Sequence, residues 1–306
     1  MKILITGGTG LIGRALISSL LADAKANNNS NNHISVLTRT PAKAQKLLPD
    51  EVDLLSQLPA ANEFNFDIVV NLAGEPIADK RWSDSQKDKI CQSRWQITQQ
   101  LADLINQTEH KPQVFISGSA IGYYGRQADS EQVDESNYQV HPEFTYEVCK
   151  KWEDIALSCN SNTRVCVIRT GIVLSRDGGA LAKMLLPFKL GLGGPMGSGR
   201  QMMSWIYIDD HINAIKFLIE HQHCHGAINL TAPNPVSNTT FSQTLAKVLH
   251  RPCIFRTPKW VLSSIFGEMS DIILTGQAVW PKYLTDQGFS FQYNSLESAL
   301  SKCVGS

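Results

Sequence analysis

Two rhythms of apolar residues alternate along the first two thirds of the chain. Short aliphatic runs read as strands buried on both faces: Ile3-Leu4-Ile5, Ile34 to Leu37, Asp67 to Leu72, Val114 to Ser117 and Val165 to Arg169. Longer stretches with helical spacing lie between them, at Leu11 to Leu21, from about Ser83 to Asn106, and at Phe144 to Leu157. Alternation of this kind predicts an α/β fold, a doubly wound parallel sheet of Rossmann type. The Asn-rich segment from Ala24 to Asn32 reads as a solvated loop between the first helix and the second strand.

The pattern changes after residue 170. Gly191 to Gly199 is too rich in glycine for a helix. Trp205 to Ile208 reads as a strand. Asp209 to Glu220 reads as a helix capped by Asp209 or Asp210, and Ala227 to Leu230 as a short strand. From Ala232 onward, prolines at 233, 235, 252, 258 and 281 divide the chain into short helices. We therefore expect residues 1–170 and 203–231 to form a nucleotide-binding domain. Residues 171–202 and 232–306 are expected to form a smaller, mostly helical, substrate-side lobe. Trp205, Trp260 and Trp280 are expected in the core, as are Met202 and Met203.

The first candidate chemistry sits in the opening turn. Gly8, Gly10 and Gly13 have the G-x-G-x-x-G spacing, directly after a strand and directly before a helix. Glycines there allow a tight turn and bring backbone N–H groups up to a pyrophosphate at a helix N-terminus. NAD-binding versions of the fold end the second strand with an acid that bonds the ribose. Here that strand runs Val36-Leu37-Thr38-Arg39-Thr40, with no acid. Arg39 is suited to a 2′-phosphate, with Lys43 one helical turn further on, so NADP (as NADPH) is expected and NAD less so. Asn71-Leu72-Ala73-Gly74 closes the fourth strand with small residues that suit a backbone edge against the cofactor.

Composition narrows the picture. The chain has 306 residues, 42% of them hydrophobic, enough for a large core. Its 28 Lys and Arg balance its 28 Asp and Glu, so nothing in the net charge points to nucleic acid or to an anionic membrane. Seven scattered cysteines without a C-x-x-C pair fit reduced thiols in a cytoplasmic protein. No apolar run has the length of a membrane span, the opening residues do not read as a signal peptide, and the eight histidines show no metal-ligand spacing. His221, His223 and His225 fall at a helix end, where they suit the dipole better than a metal. The expected partner is a small-molecule substrate, and the protein a monomer or homodimer.

These pieces resemble the short-chain dehydrogenase/reductase superfamily in its extended, sugar-nucleotide epimerase form. The motifs are Thr6 to Gly13, Asn71 to Gly74, Ser117 to Gly125 and Arg169 to Leu174. One atypical branch, the "epimerase family" proteins, is similar over essentially the whole chain. That likeness rests on Asn71 to Ile77, Val148-Cys149-x-x-Trp152-Glu153, Pro187 to Pro195, Trp205 to Asp210, and Gly276 to Pro281 followed by Gly288-Phe289. The resemblance implies cofactor contacts from Gly7, Gly10, Leu11, Ile12, Gly13, Thr38, Arg39, Leu72, Ala73 and Arg94. It also implies oxidoreductase or epimerase chemistry on a small carbonyl or sugar-like substrate.

The superfamily's chemistry uses a Ser–Tyr–Lys set, and Ser119 fits the serine, with Ser117 as a competitor. Alignment on Trp152-Glu153 puts Thr145 at the tyrosine position and Cys149 at the lysine position. A thiol, with an ordinary pKa of about 8.5, carries no positive charge at neutral pH. Tyr146-x-x-x-Lys150 matches by bare spacing, but a one-residue shift turns a helical side chain by about 100°. Tyr146 and Lys150 are therefore the rival pair. The usual asparagine of the long helix is replaced by Arg94, a cation able to stand in for the lost lysine or to hold an anionic substrate group. A second reading follows from the missing pair: a cofactor-loaded sensor or partner-binding protein, a class of role linked by resemblance to cell or plastid division.

Overall fold

In a computed structural model, residues 1–26, 32–159 and 163–305 are described. Their main elements are β1 (Lys2–Thr6), α1 (Leu11–Ala26), β2 (His33–Leu37), β3 (Asp53–Leu55), β4 (Ile68–Asn71), α2 (Asp84–Gln107), β5 (Val114–Ala120) and α3 (Phe144–Leu157). They continue with β6 (Arg164–Thr170), α4 (Gly179–Lys189), α5 (Ile208–Glu220), β7 (Gly226–Leu230), α6 (Asn238–Val248) and α7 (Leu296–Val304). The seven strands form one parallel sheet in the order β7-β6-β5-β4-β1-β2-β3. The chain winds outward one way from β1 and the other way from β4. The carboxyl ends of those two neighbours therefore flank the crevice where ligands bind in such sheets.

Alternation along each strand feeds two cores. Ile3 and Ile5 of β1 point into a cluster with Leu16, Ile17 and Leu20 of α1 and Ile212, Ile215 and Leu218 of α5. Leu4 points the other way, into a cluster with Val69, Phe115 and Val167 of the sheet and Leu101 and Ile105 of α2. Both faces are covered, so the strands read as continuous apolar runs rather than as alternating ones. The first core also takes in Leu296, Ala299 and Leu300 of α7. The C-terminal segment is thus part of the sheet's own core.

Helix boundaries follow local chemistry where it exists. Ser83 caps α2, its Oγ accepting the Gln86 N–H at 3.2 Å. The helix expected over Phe144 to Leu157 is found there. α1 is longer than expected: Ala24 to Ala26 are its last turn, and residues 27–31 of the Asn-rich segment lie outside the described residues.

Two expectations are corrected. The cap of α5 is Tyr207, without a side-chain bond, and neither Asp209 nor Asp210 caps that helix. Asp210 is fully buried instead and accepts the backbone N–H groups of Gln292 (2.8 Å) and Tyr293 (2.9 Å), 82 and 83 residues away. A long-range demand for an acceptor outcompeted the local one. Trp260 is not core but 71% exposed, because its helix, Lys259–Phe266, buries only Leu262, and Trp280 and Met202 are half-buried rather than core.

The C-terminal segment crosses the carboxyl edge of the sheet on a series of polar clamps. Ser204 Oγ donates to Gln277 O (2.7 Å) and accepts from Val279 N (2.8 Å). Asn229 Nδ2 donates to Trp280 O at 3.0 Å. The Glu135 carboxylate receives Asn229 N (2.8 Å) and Tyr283 N (3.3 Å). Asp210→Ala should strip two backbone donors of their buried acceptor and cost about 1–3 kcal/mol in urea unfolding. The exposed neighbour change Asp209→Ala should stay within about 0.5 kcal/mol. Equal effects would refute the clamp.

Candidate functional site

The turn after β1 is built by close approach. Gly7 has φ +70°, and a Cβ on it would lie 2.5 Å from Leu72 O. A Cβ on Gly13 would overlap the Gly7 carbonyl, and one on Gly8 would lie 2.7 Å from the Val36 side chain. Gly10 meets only Gly7 O, at 3.2 Å, so its outer side is open. Gly7, Gly10 and Gly13 make the turn, and Gly8 packs the sheet beneath it. Leu11 and Ile12 follow, half-buried, in the first turn of α1. Leu72 is tied to β1 by Leu72 N to Thr6 O at 3.1 Å, with Ala73 half-buried beside it.

At the end of β2, Thr38 N bonds Leu55 O (2.9 Å) and Thr38 Oγ1 accepts Thr40 N (3.3 Å). This turn carries Arg39 outward. Arg39 and Lys43 are exposed, and neither has a carboxylate within 4.0 Å among the described residues. A pair of cations without acidic partners beside a glycine turn suits a dianionic group.

The middle of the crevice is floored by a buried hydroxyl–amide chain. Thr6 Oγ1 donates to Asn71 Oδ1 (2.6 Å), and Asn71 Nδ2 to Thr98 Oγ1 (2.8 Å). Thr98 also accepts from Trp152 Nε1 (2.9 Å) and donates to Arg94 O (2.7 Å). Arg94 lies above this chain. Its guanidinium is 5.2 Å from the Trp152 ring and gives Nη1 bonds to Glu75 O (3.0 Å) and Ile90 O (2.9 Å). A Cβ on Gly74 would lie 3.0 Å from Arg94 Cζ. Glycine at 74 therefore lets the cation reach the end of β4. Burial pulls the Arg94 pKa below its ordinary value, with nearby Cys149 among the groups opposing that shift.

Ser119, at the end of β5, is oriented by an ion pair. Its hydroxyl donates to Glu153 Oε1 at 2.6 Å. Glu153 in turn receives Arg169 Nε at Oε1 (2.9 Å) and Arg169 Nη2 at Oε2 (2.8 Å). Arg169 Nη1 reaches Tyr124 OH (3.1 Å), which donates to Asn229 Oδ1 (2.8 Å). The Arg169 guanidinium also stacks 3.6 Å from the Tyr123 ring centroid. Burial alone would lower the Arg169 pKa; the bonds and charge of Glu153 outweigh it and raise the pKa. A carboxylate has only acceptors, so the Ser119 proton points at Glu153 and the lone pairs of Ser119 face elsewhere.

The helix face settles which side chains turn inward. A Cβ on Gly122 would lie 3.0 Å from Thr145 Cβ and 3.7 Å from Cys149 Sγ. Thr145 and Cys149 thus pack against the turn after β5, beside Ser119. Thr145 donates to Glu143 Oε1 at 2.8 Å. The Cys149 thiol is pushed up to about 12, chiefly by burial and then by the Glu153 charge; Arg94, the Ala120 backbone and Ser119 oppose this. Lys150 faces outward, paired with Asp154 at 2.5 Å, and Tyr146 stands edge-on to Tyr123 with ring centroids 5.7 Å apart. Ser117 is fully buried, its hydroxyl reaching only Gly118 O at 3.5 Å. Ser119, Cys149 and Arg94 are therefore brought together, while Lys150 is not among them.

Sequence reasoning did not single out Thr98, Tyr124, Asn229 or the Glu153–Arg169 pair as site groups. Glu153 and Arg169 stood inside the quoted motifs, 16 residues apart on a helix and a strand. Nothing in their spacing reveals that they meet.

Comparison with known proteins places the chain in a family. Residues 3–230 match the NAD dependent epimerase/dehydratase family, and residues 257–303 match a domain of unknown function, DUF1731. The chain belongs to the NAD-dependent epimerase/dehydratase family, as an atypical short-chain dehydrogenase/reductase. It is 39% identical over 307 residues to the chloroplastic epimerase family protein SDR39U1 homolog of Arabidopsis thaliana, covering 98% of this chain and 86% of that one. It is 38% identical over 305 residues to epimerase family protein SERP0438 of Staphylococcus epidermidis, covering 99% of each. The crystal structure of human epimerase family protein SDR39U1 with NADPH superposes with a TM-score of 0.88 at 32% identity, covering 100% of this chain and 99% of that one.

At pH 8 a thiol titrating near 12 is thiolate to only about one part in ten thousand. Native protein treated with iodoacetamide should therefore leave Cys149 unlabelled by mass spectrometry until it is unfolded. Cys253, the one cysteine of the seven that is not buried, should label first. Rapid native labelling of Cys149 would contradict the buried, neutral thiol.

Proposed function

We propose that this protein binds NADPH in preference to NADH across the carboxyl edge of its sheet. The observation that carries the reading is the pair Arg39 and Lys43, exposed and without carboxylate partners, beside the Gly7, Gly10 and Gly13 turn. The open side of Gly10 and the N-terminus of α1 suit the pyrophosphate. Thr38 and Arg39 would hold the 2′-phosphate, with Leu11, Ile12, Leu72 and Ala73 along the adenosine and ribose and Arg94 deeper in the crevice. The human relative solved with NADPH supports the same choice.

Bound there, the cofactor supplies a hydride to, or accepts one from, a small carbonyl or sugar-like substrate. The chain's own contribution to proton movement is weak. Reduction of a carbonyl needs a donor at its oxygen, and the superfamily's tyrosine and lysine are replaced by Thr145 and Cys149. Thr145 donates its hydroxyl hydrogen bond to Glu143, Ser119 donates its own to Glu153, and Cys149 stays protonated. Ser119 and Arg94 then act as substrate anchors: Ser119 accepts a bond, and Arg94 supplies positive charge to the pocket. Slow turnover with firmly held cofactor is the behaviour this geometry favours. The inward commitment of both hydroxyls also favours the second reading, a protein that keeps NADPH as a bound signal for a partner.

Arg39→Ala should weaken NADPH binding by roughly 10- to 100-fold in a fluorescence titration and leave NADH binding unchanged, as loss of charge-assisted bonds dictates. Equal losses for both cofactors would refute the 2′-phosphate assignment. Ser119→Ala should lower NADPH oxidation by at least about tenfold for hydroxylated, sugar-like carbonyls, whose hydroxyl can donate to Ser119, while NADPH affinity stays within about twofold. Stoichiometric NADPH that survives every carbonyl, with Ser119→Ala indistinguishable from the parent, would leave only the retained-cofactor reading.

A further inference from the structure

The balanced net charge of the chain conceals a local segregation. Residues 178–200 and 249–267 contain no Asp or Glu, yet they carry Lys183, Lys189, Arg200, Arg251, Arg256 and Lys259. The two stretches are locked together. Thr257 N bonds Pro195 O (2.9 Å), Gly197 N bonds Thr257 O (2.9 Å), and Arg251 Nε bonds Lys189 O (2.8 Å). Lys183 pairs with Asp79 and Arg200 with Asp129. Lys189, Arg251, Arg256 and Lys259 have no carboxylate within 4.0 Å among the described residues.

The same two stretches hold seven of the ten large hydrophobic side chains found exposed among the described residues: Leu186, Leu190, Leu192, Ile254, Phe255, Trp260 and Ile265. Scattered exposed apolar residues need no explanation, but a concentration of them does. Leu190 and Leu192 flank Gly191, where a Cβ would lie 3.6 Å from Pro252, two residues from Ile254. Trp260 is 71% exposed and Ile254 77%.

We infer that this face docks on an anionic lipid surface. Aromatic and aliphatic side chains set among unpaired cations match the boundary between acyl chains and acidic headgroups. A second copy of the chain fits worse. A two-fold contact through this face would set Lys189, Arg251, Arg256 and Lys259 against the same four cations of the partner. No helix of the described residues is long and apolar enough to cross a membrane, so the contact is peripheral.

The test is cosedimentation of the full chain with vesicles, with Trp260 emission as a second readout. The protein should bind vesicles of mixed phosphatidylcholine and phosphatidylglycerol at low salt, with a blue-shifted emission. It should be released by high salt and should not bind phosphatidylcholine alone. Lys189→Gln with Lys259→Gln should weaken binding by about thirtyfold, the expectation for two surface charges. Trp260→Ala should weaken it by at least about tenfold. NADPH affinity should be unchanged in both variants, which reports that they are folded. Failure to bind the acidic vesicles overturns the inference. So does equal binding to phosphatidylcholine alone, or capture by an acidic protein without any vesicle binding. If the variants lose self-association in analytical ultracentrifugation instead, a second copy covers the face and the inference is wrong.

Discussion

The organisation of the crevice depends on one buried ion pair. Glu153 and Arg169 are 2% and 3% exposed, so neither charge is tolerable without the other. Two hydrogen bonds from guanidinium to carboxylate leave further bonding capacity on each side. The fold fills it with Ser119 on the acid and Tyr124 on the base. Through Tyr124 the pair reaches Asn229 and hence Trp280 of the C-terminal segment. One electrostatic requirement thus orders the ends of β5, β6 and β7, the inner face of α3 and the strap that crosses them. A change to either charge would disturb all of these together, because buried polar networks are not additive.

The same pair accounts for the chemical character of the site. Ser119 is held as a donor toward Glu153, and the Glu153 charge also helps keep Cys149 protonated. Arg94 opposes that second effect. The superfamily arrangement places a cation next to a tyrosine so that a proton is easily released. In this chain Arg94 comes from α2, and Cys149 stays a neutral thiol beside Ser119. The hydroxyl of Ser119 and the thiol of Cys149 are thereby both held to the protein's own groups.

The fold was legible in the sequence to the extent that it is local. β1 and its glycine turn, α2 from about Ser83, and α3 over Phe144 to Leu157 all follow from patterns contained within a few residues. That Cys149 rather than Lys150 packs against the turn after β5 was also accessible, because a helix turns each residue by a fixed angle. The failures share the opposite property. Asp210 looked like a cap because its real partners lie at 292 and 293, and Trp260 looked like core because its own sequence does not show how little its short helix buries. Glu153, Arg169, Tyr124 and Asn229 form one chain of contacts across three strands and a helix. No spacing rule reports such a meeting.

Asp210 also bears on synthesis. A growing polypeptide is made from its amino end, so all seven strands exist once residue 230 has emerged. At that moment the carboxylate of Asp210 has neither of its two backbone donors, which have still to be translated. The apolar surface later covered by Leu296, Ala299 and Leu300 is equally bare. The sheet therefore leaves the ribosome with an open seam, and a stretch made later, around residues 292–300, seals it.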